Sequence, residues 1–146
     1  MNFKVVCGFP GSGKSTFVRN SISKNDIVYD YDELITTISL SKRHINNEVA
    51  HRYVLDILDA IIERAKTDST EGTVWIIRTV PDENFQARML NLDVEWLYIN
   101  KTVFECLEQI SNDPERIDSD KNWGSILMEL QREGENGKFD ICKFIN

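Results

Sequence analysis

Gly8-Phe9-Pro10-Gly11-Ser12-Gly13-Lys14-Ser15 is the stretch on which the reading of this chain turns. It satisfies G-x-x-x-x-G-K-[ST], the pattern of a phosphate-binding loop, at every fixed position. Its glycines let the backbone curl until successive N–H groups aim at one point. The loop then opens a helix, and a helix N-terminus favours an anion. Gly8, Pro10, Gly11, Ser12, Gly13, Lys14, Ser15 and Thr16 are therefore the expected nucleotide contacts. Lys14 adds a mobile positive charge for the outer phosphates of a nucleoside triphosphate. The Ser15 hydroxyl is placed to ligate Mg²⁺, and Thr16 offers a second hydroxyl beside it.

The flanks supply the context this chemistry requires. Phe3-Lys4-Val5-Val6-Cys7 reads as a short buried strand, and a helix is expected from about Gly13 to Ile22. Ile27-Val28-Tyr29 is a second strand. Asp32 to about Leu40 reads as helix, and Ser41 to Asn47 as polar loop. Ala50, Val54, Ile57, Leu58, Ile61, Ile62 and Ala65 recur at helical spacing, which predicts the longest helix over about Asn47 to Lys66. Thr73-Val74-Trp75-Ile76-Ile77 is the near-continuous apolar run of a central parallel strand. Pro81-Asp82-Glu83 starts another helix, Val94 to Ile99 is the next strand, and Thr102-Val103-Phe104-Glu105 is a capping box. Ser111 to Asn122 reads as a polar, lid-like loop. A last helix begins at Trp123 and is stopped by Gly134 and Gly137, and Phe139 to Ile145 is an edge strand.

Strands alternating with helices give an α/β domain over residues 1–146, with a mostly parallel sheet of about five strands and helices on both faces. Ligands of such sheets sit at the carboxyl ends of the strands. That rule gathers Gly8 to Thr16, Asp30 to Asp32, Arg78-Thr79 and Asn100 in one place. Asp30 and Asp32 can divide labour there, one holding Mg²⁺ with Ser15 and the other orienting or deprotonating an attacking hydroxyl. The third strand ends in Arg78 rather than an acid, which favours transfer to a bound acceptor over coupled ATP hydrolysis. Arg78 becomes a candidate contact to phosphate or acceptor. Arg116, in the loop before the last helix, is the candidate to close over ATP, with Lys121 behind it. His44 and His51 have no partner cluster and read as surface residues, Arg88 as a solvated helix face, and Trp75 and Trp123 as packing residues.

Bulk properties narrow the classes. With 146 residues, 41% hydrophobic and 28% charged, the composition is that of an ordinary folded domain. No apolar run is long enough to span a bilayer, and the N-terminus does not resemble a signal peptide. Cys7, Cys106 and Cys142 lie far apart, so neither a disulfide framework nor a zinc site is indicated and a cytoplasmic location is expected. A net charge of −7 and a pI of about 4.8 disfavour extended nucleic-acid binding, although one nucleotide or one strand end can still be held.

These residues resemble the P-loop kinases of the nucleoside-monophosphate, shikimate and polynucleotide kinase type. The resemblance runs through Gly8 to Thr16, Val28-Tyr29-Asp30-Tyr31-Asp32-Glu33 and the loop carrying Arg116. It implies a three-layer P-loop NTPase fold and a kinase that uses ATP and Mg²⁺. In that assignment Lys14, Asp30, Asp32 and Arg116 are catalytic, and Ser15 and Asp30 hold the metal. Trp75-Ile76-Ile77-Arg78-Thr79, Pro81 and Cys106-Leu107 are also similar to small phage-encoded proteins labelled AAA-family ATPases, which implies the cytoplasm of a bacterial host. Gln109 and Ile110 stand where a kinase lid would often carry another arginine. The glycine-rich segment of shikimate kinases after the third strand is missing, which disfavours shikimate as acceptor. The acceptor is then a small molecule, a nucleotide or a nucleic-acid end. The alternatives are a nucleotide-dependent switch and a slow ATPase with no acceptor.

Overall fold

Side chains alternate across the first strand, and that alternation sets the layers. The computed structural model describes residues Met1–Asn146. Phe3, Val5 and Cys7 face one side of the sheet, where they join Tyr29, Val74, Ile76 and Tyr98 in the larger core. Val6 faces the other side and packs with Val18, Trp75, Leu97 and Ile99. The strands are β1 (Asn2–Cys7), β2 (Ile27–Asp30), β3 (Thr73–Ile77), β4 (Val94–Ile99) and β5 (Lys143–Ile145). They form one five-stranded sheet in the order β2-β3-β1-β4-β5, every neighbouring pair parallel. The α/β class and the five-strand parallel sheet are as the sequence predicts, with β5 at an edge.

The helices are α1 (Lys14–Ser21), α2 (Tyr31–Ser39), α3 (Glu48–Thr67), α4 (Glu83–Arg88), α5 (Val103–Ser111), α6 (Pro114–Ile117) and α7 (Trp123–Glu135). Val18 of α1 belongs to the smaller core, whereas α3, α4, α5 and α7 deliver Val54, Leu58, Ile62, Phe85, Cys106, Ile110 and Leu127 to the larger one. Helix α3 forms because its apolar residues fall every three or four positions, so Ala50, Val54, Leu58, Ile62 and Ala65 make one buried stripe. It starts where Asn47 Oδ1 accepts from the Ala50 N–H at 3.0 Å. Asn47→Ala removes that acceptor and is expected to destabilise the protein by about 1 kcal/mol, measured by denaturant unfolding. An unchanged midpoint would show the cap to be energetically idle.

Three local expectations need correction. The segment read as a loop over 111–122 carries a helical turn, α6, because Asp113 caps it and Pro114 occupies its first turn, where a missing N–H costs nothing. Gly134 lies inside α7 and does not end it; a Cβ there would meet the Phe139 ring at 3.2 Å, so the glycine makes room for packing. Gly137, at φ +89°, marks the turn beyond the helix. The last strand covers only Lys143–Ile145 because Phe139 turns inward onto the rings of Phe9 and Tyr98.

Candidate active site

Of the seven helices, only α1 has no side chain capping its N-terminus. Asp30, Asn47, Asp82, Thr102, Asp113 and Asn122 cap the other six. Helix α1 begins at Gly13, in the left-handed region at φ +89°, with no side-chain hydrogen bond and no acid in its first turn. Its leading N–H groups are thus left to an external acceptor. The loop ahead of it lies tight against its surroundings. A Cβ at Gly8 would meet Ser12 Oγ at 2.6 Å, and one at Gly11 would meet the Cys106 carbonyl oxygen at 2.7 Å. Ser12 Oγ is buried without a hydrogen-bond partner. An uncapped helix start, a side-chain-free cradle and an orphaned hydroxyl together fit an anionic phosphate chain.

Lys14 Nζ donates to the Gly8 and Phe9 carbonyls at 2.8 Å each, which arches the side chain back over its own loop. Burial pushes its ammonium down to about 8, the charge of Arg116 adds to the depression, and Asp32 opposes it. Lys14, Asp32 and Arg116 therefore sense one another across the mouth of the loop. Ser15 Oγ donates to Asp30 Oδ2 at 2.8 Å. Asp30 is buried at the end of β2, and its other oxygen accepts from the Asp32 N–H at 3.2 Å. One carboxylate thus both caps α2 and meets the hydroxyl of the phosphate loop. This reach exists because β2 pairs with β3 and β3 with β1, which puts the end of β2 on the same rim as the loop.

Asp32, one residue into α2, turns its carboxylate toward a neighbouring segment. Arg43 Nη2 lies 3.9 Å and His44 Nδ1 4.0 Å from its oxygens. Arg116 pairs with Asp113 at 3.2 Å, and its guanidinium sits 4.9 Å over the Trp123 ring. Burial lowers the Arg116 pKa, with Asp32 and Asp113 acting in the opposite direction.

Arg78 points elsewhere: it pairs with Asp82, donates to the Val80 carbonyl at 3.3 Å and covers the Phe85 ring at 4.1 Å. Thr79 accepts the Gly8 N–H at 3.2 Å, and Asn100 bonds to Asn146 at 2.8 Å. Arg88 pairs with Asp59 of α3, Trp75 is buried and donates to Asp26, and His51 bonds the Tyr31 hydroxyl.

His44 departs from the surface reading. Its side chain is 3% exposed and packs edge-on against Trp123, with ring centres 5.2 Å apart. Sequence reasoning also missed Arg43, which reaches Asp32, Glu33 and Glu115. Neither lies in a periodic or spaced motif, and their partners are more than seventy positions away in the case of Trp123 and Glu115, so no local signal could have found them. A surface groove between α2 and α3, lined by Ile38, Tyr53 and Ile57, contains no group of the loop over residues 8–15.

Comparison with known proteins agrees with this architecture. No family model and no curated protein sequence matches the chain. A chain of the Pnkp1/Rnl/Hen1 RNA repair complex is similar in structure, with TM-score 0.72 and 19% identity over 94% of this chain. The present chain spans 46% of the length of that relative. Shikimate kinase from Acinetobacter baumannii is similar over 100% of this chain and 83% of its own, with TM-score 0.64 and 14% identity. Deoxyadenosine kinase from M. mycoides is similar over 99% and 89% of the two chains, with TM-score 0.52 and 13% identity. The likeness to phage-encoded AAA-family proteins rests on the sequence segments alone. The five-stranded parallel sheet with its flanking helices is a fold shared with P-loop kinases.

Proposed function

We propose that this chain is a small P-loop phosphotransferase that binds ATP–Mg²⁺ and passes the γ-phosphate to a hydroxyl or phosphate acceptor. The observation that carries the reading is the 2.8 Å bond from Ser15 Oγ to Asp30 Oδ2, which joins the phosphate loop to the acidic turn after β2. Mg²⁺ bound there would be held by Ser15 and Asp30 and would neutralise charge on the phosphates. The uncapped start of α1, with Gly8, Pro10, Gly11, Ser12, Gly13 and Thr16 around it, receives the phosphate oxygens. Lys14 has a pKa of about 8 and stays largely protonated at neutral pH, so it brings a cation to the outer phosphates. Asp32 accepts the proton of the attacking hydroxyl, and Arg116 covers developing charge from the lid. Arg78, held by Asp82, acts by bracing the turn after β3.

Among acceptors, a nucleotide or a nucleic-acid end fits best. Arg43 and His44 approach Asp32 and Arg116 lies within electrostatic range of it, which offers donors to a phosphate-bearing partner on a chain whose net charge is −7. The structural likeness to a chain of an RNA repair complex supports the same choice. Transfer of labelled γ-phosphate onto nucleosides, nucleotides and DNA or RNA 5′ ends tests it. Label in a nucleotide or strand end is expected; label only in inorganic phosphate would leave a slow ATPase instead.

Binding is separately measurable. ATP–Mg²⁺ at about 100 times its Kd adds roughly 2.7 kcal/mol of stability, a rise in Tm of about 5–10 °C for a domain of this size. Lys14→Ala is expected to abolish that rise. Equal melting of the unaltered chain with and without ATP–Mg²⁺ would remove the basis of the reading.

A further inference from the structure

The connection between α2 and α3 meets the lid through Arg43 and His44, to which the proposed reaction gives no step. Arg43 and His44 come from that connection; Glu115, Arg116 and Trp123 come from α6 and the start of α7. Four contacts hold Trp123, one of them the Lys121 ammonium 5.5 Å from its ring centre. His44 packs edge-on against its ring at 5.2 Å, the Arg116 guanidinium lies 4.9 Å from its centre, and its indole N–H donates to the Arg116 carbonyl at 2.9 Å. Arg43 Nε approaches Glu115 at 3.9 Å while its Nη2 approaches Asp32. His44 Nε2, Arg43 Nε and Arg116 Nη1 are buried with no hydrogen-bond partner. His44 holds left-handed backbone, with a φ of +63°. A non-glycine residue in that region costs free energy, so the surrounding contacts must maintain it.

We propose that His44 is a positioning residue: by wedging Trp123 against Arg116 while flanking Asp32, it makes closure of the lid and orientation of the acceptor-side carboxylate a single event. For its effect on turnover this rests on the phosphotransferase reading; the clasp itself does not. Without the imidazole, Trp123 loses one wall, and the ring that the Arg116 guanidinium covers is less firmly placed. Asp32 keeps only Arg43 as a neighbour from that segment.

The groups facing His44 are Asp32 from α2, Arg43 from its own segment, Arg116 from α6 and Lys121 from the turn before α7. Burial lowers its pKa, Asp32 counteracts that, and the three cations reinforce it. The folded state thus resists protonating this ring. The unfolded chain takes up the proton first, so the clasp is intact above the ordinary imidazole range and weakens as pH falls through it.

The test uses the full chain. Emission of Trp123 is isolated by subtracting the spectrum of W123F from that of each protein. H44A is expected to red-shift this component and to speed proteolytic cleavage within residues 112–122 by roughly three- to tenfold, the range given by an aromatic pair. H44F keeps a ring against the indole and restores both properties. As pH falls below the ordinary imidazole range the Trp123 component shifts in the unaltered chain and stays constant in H44F. In the transfer assay H44A lowers kcat with little change in KM for ATP, and its loss combines with that of R116A less than multiplicatively. Unaltered Trp123 emission and cleavage in H44A overturn the clasp. Altered emission with multiplicative kcat losses overturns the positioning role. If the unaltered chain transfers no phosphate at all, the phosphotransferase reading fails, and emission and cleavage still decide the clasp.

Discussion

Asp32→Asn is expected to slow γ-phosphate transfer by roughly 10²–10⁴-fold, the usual contribution of a general base, while leaving ATP–Mg²⁺ affinity nearly intact. Asparagine matches aspartate in shape, so α2 should keep its first turn, which is held through the Asp32 backbone N–H and the Asp30 side chain. The phosphate loop does not touch the Asp32 carboxylate by any hydrogen bond; its neighbours are Arg43 and His44. What the substitution removes is the acceptor for a proton and a negative charge that raises the pKa of Lys14. Lys14, already at about 8, should therefore become easier to deprotonate. Nucleotide binding in the variant should weaken at a lower pH than in the parent, the second signature of the same change. Single-turnover transfer and equilibrium ATP binding separate the two effects. Undiminished transfer would sink the acceptor role, and loss of binding alone would make Asp32 part of the nucleotide pocket.

The second large effect falls on the loop itself. Gly11→Ala is expected to destabilise the protein by about 2–4 kcal/mol, the sum of left-handed strain and overpacking. Gly11 sits at φ +79°, and its Cβ would lie 2.7 Å from the Cys106 carbonyl oxygen and 3.0 Å from Ile110 Cγ1. The first of these is backbone of α5 and cannot swing aside. The loop must move away from α5, and the amide cradle is lost with that movement. Tm should fall by roughly 6–16 °C, and ATP–Mg²⁺ should no longer raise it. Gly13→Ala is the matched comparison: its φ of +89° carries the same strain, but nothing lies within 4 Å of the added carbon. Gly13→Ala should therefore cost only about 1–2 kcal/mol. Equal losses in the two variants would show that the loop does not bear on α5.

Much of the candidate site was readable along the chain because its parts are local. A phosphate loop needs glycine, lysine and serine at set intervals, and those intervals are written between residues 8 and 15. Strands β3 and β4 were legible to the residue because β3 is a near-continuous apolar run and β4, broken only by Glu95, is rich in apolar and aromatic residues. Asp30 and Asp32 were placed by a general property of parallel sheets, whose carboxyl ends share one rim. The capping box at Thr102 and Glu105 is present, since its bonds span only three positions.

Other parts depended on packing between distant segments. Gly134 looked like a stop signal, and Phe139 gave it a different use. The dual role of Asp30, cap of α2 and partner of Ser15, needs β2 and β1 on either side of β3 before either bond can be judged. Arg78 ends a strand where an arginine could serve a ligand, yet Asp82 four residues on and the Phe85 ring take it up.

Chemistry confined to a few consecutive residues was thus set by residue order: the phosphate loop, its strand and helix, and the acidic turn after β2. Pairings that bridge separate segments were set by the folded chain, above all His44 with Trp123 and Arg43 with Glu115. The reason is physical. Loop and cap geometry follows from backbone preferences and hydrogen bonds over a few positions, whereas a buried imidazole acquires its environment only when helices remote in the chain close over it.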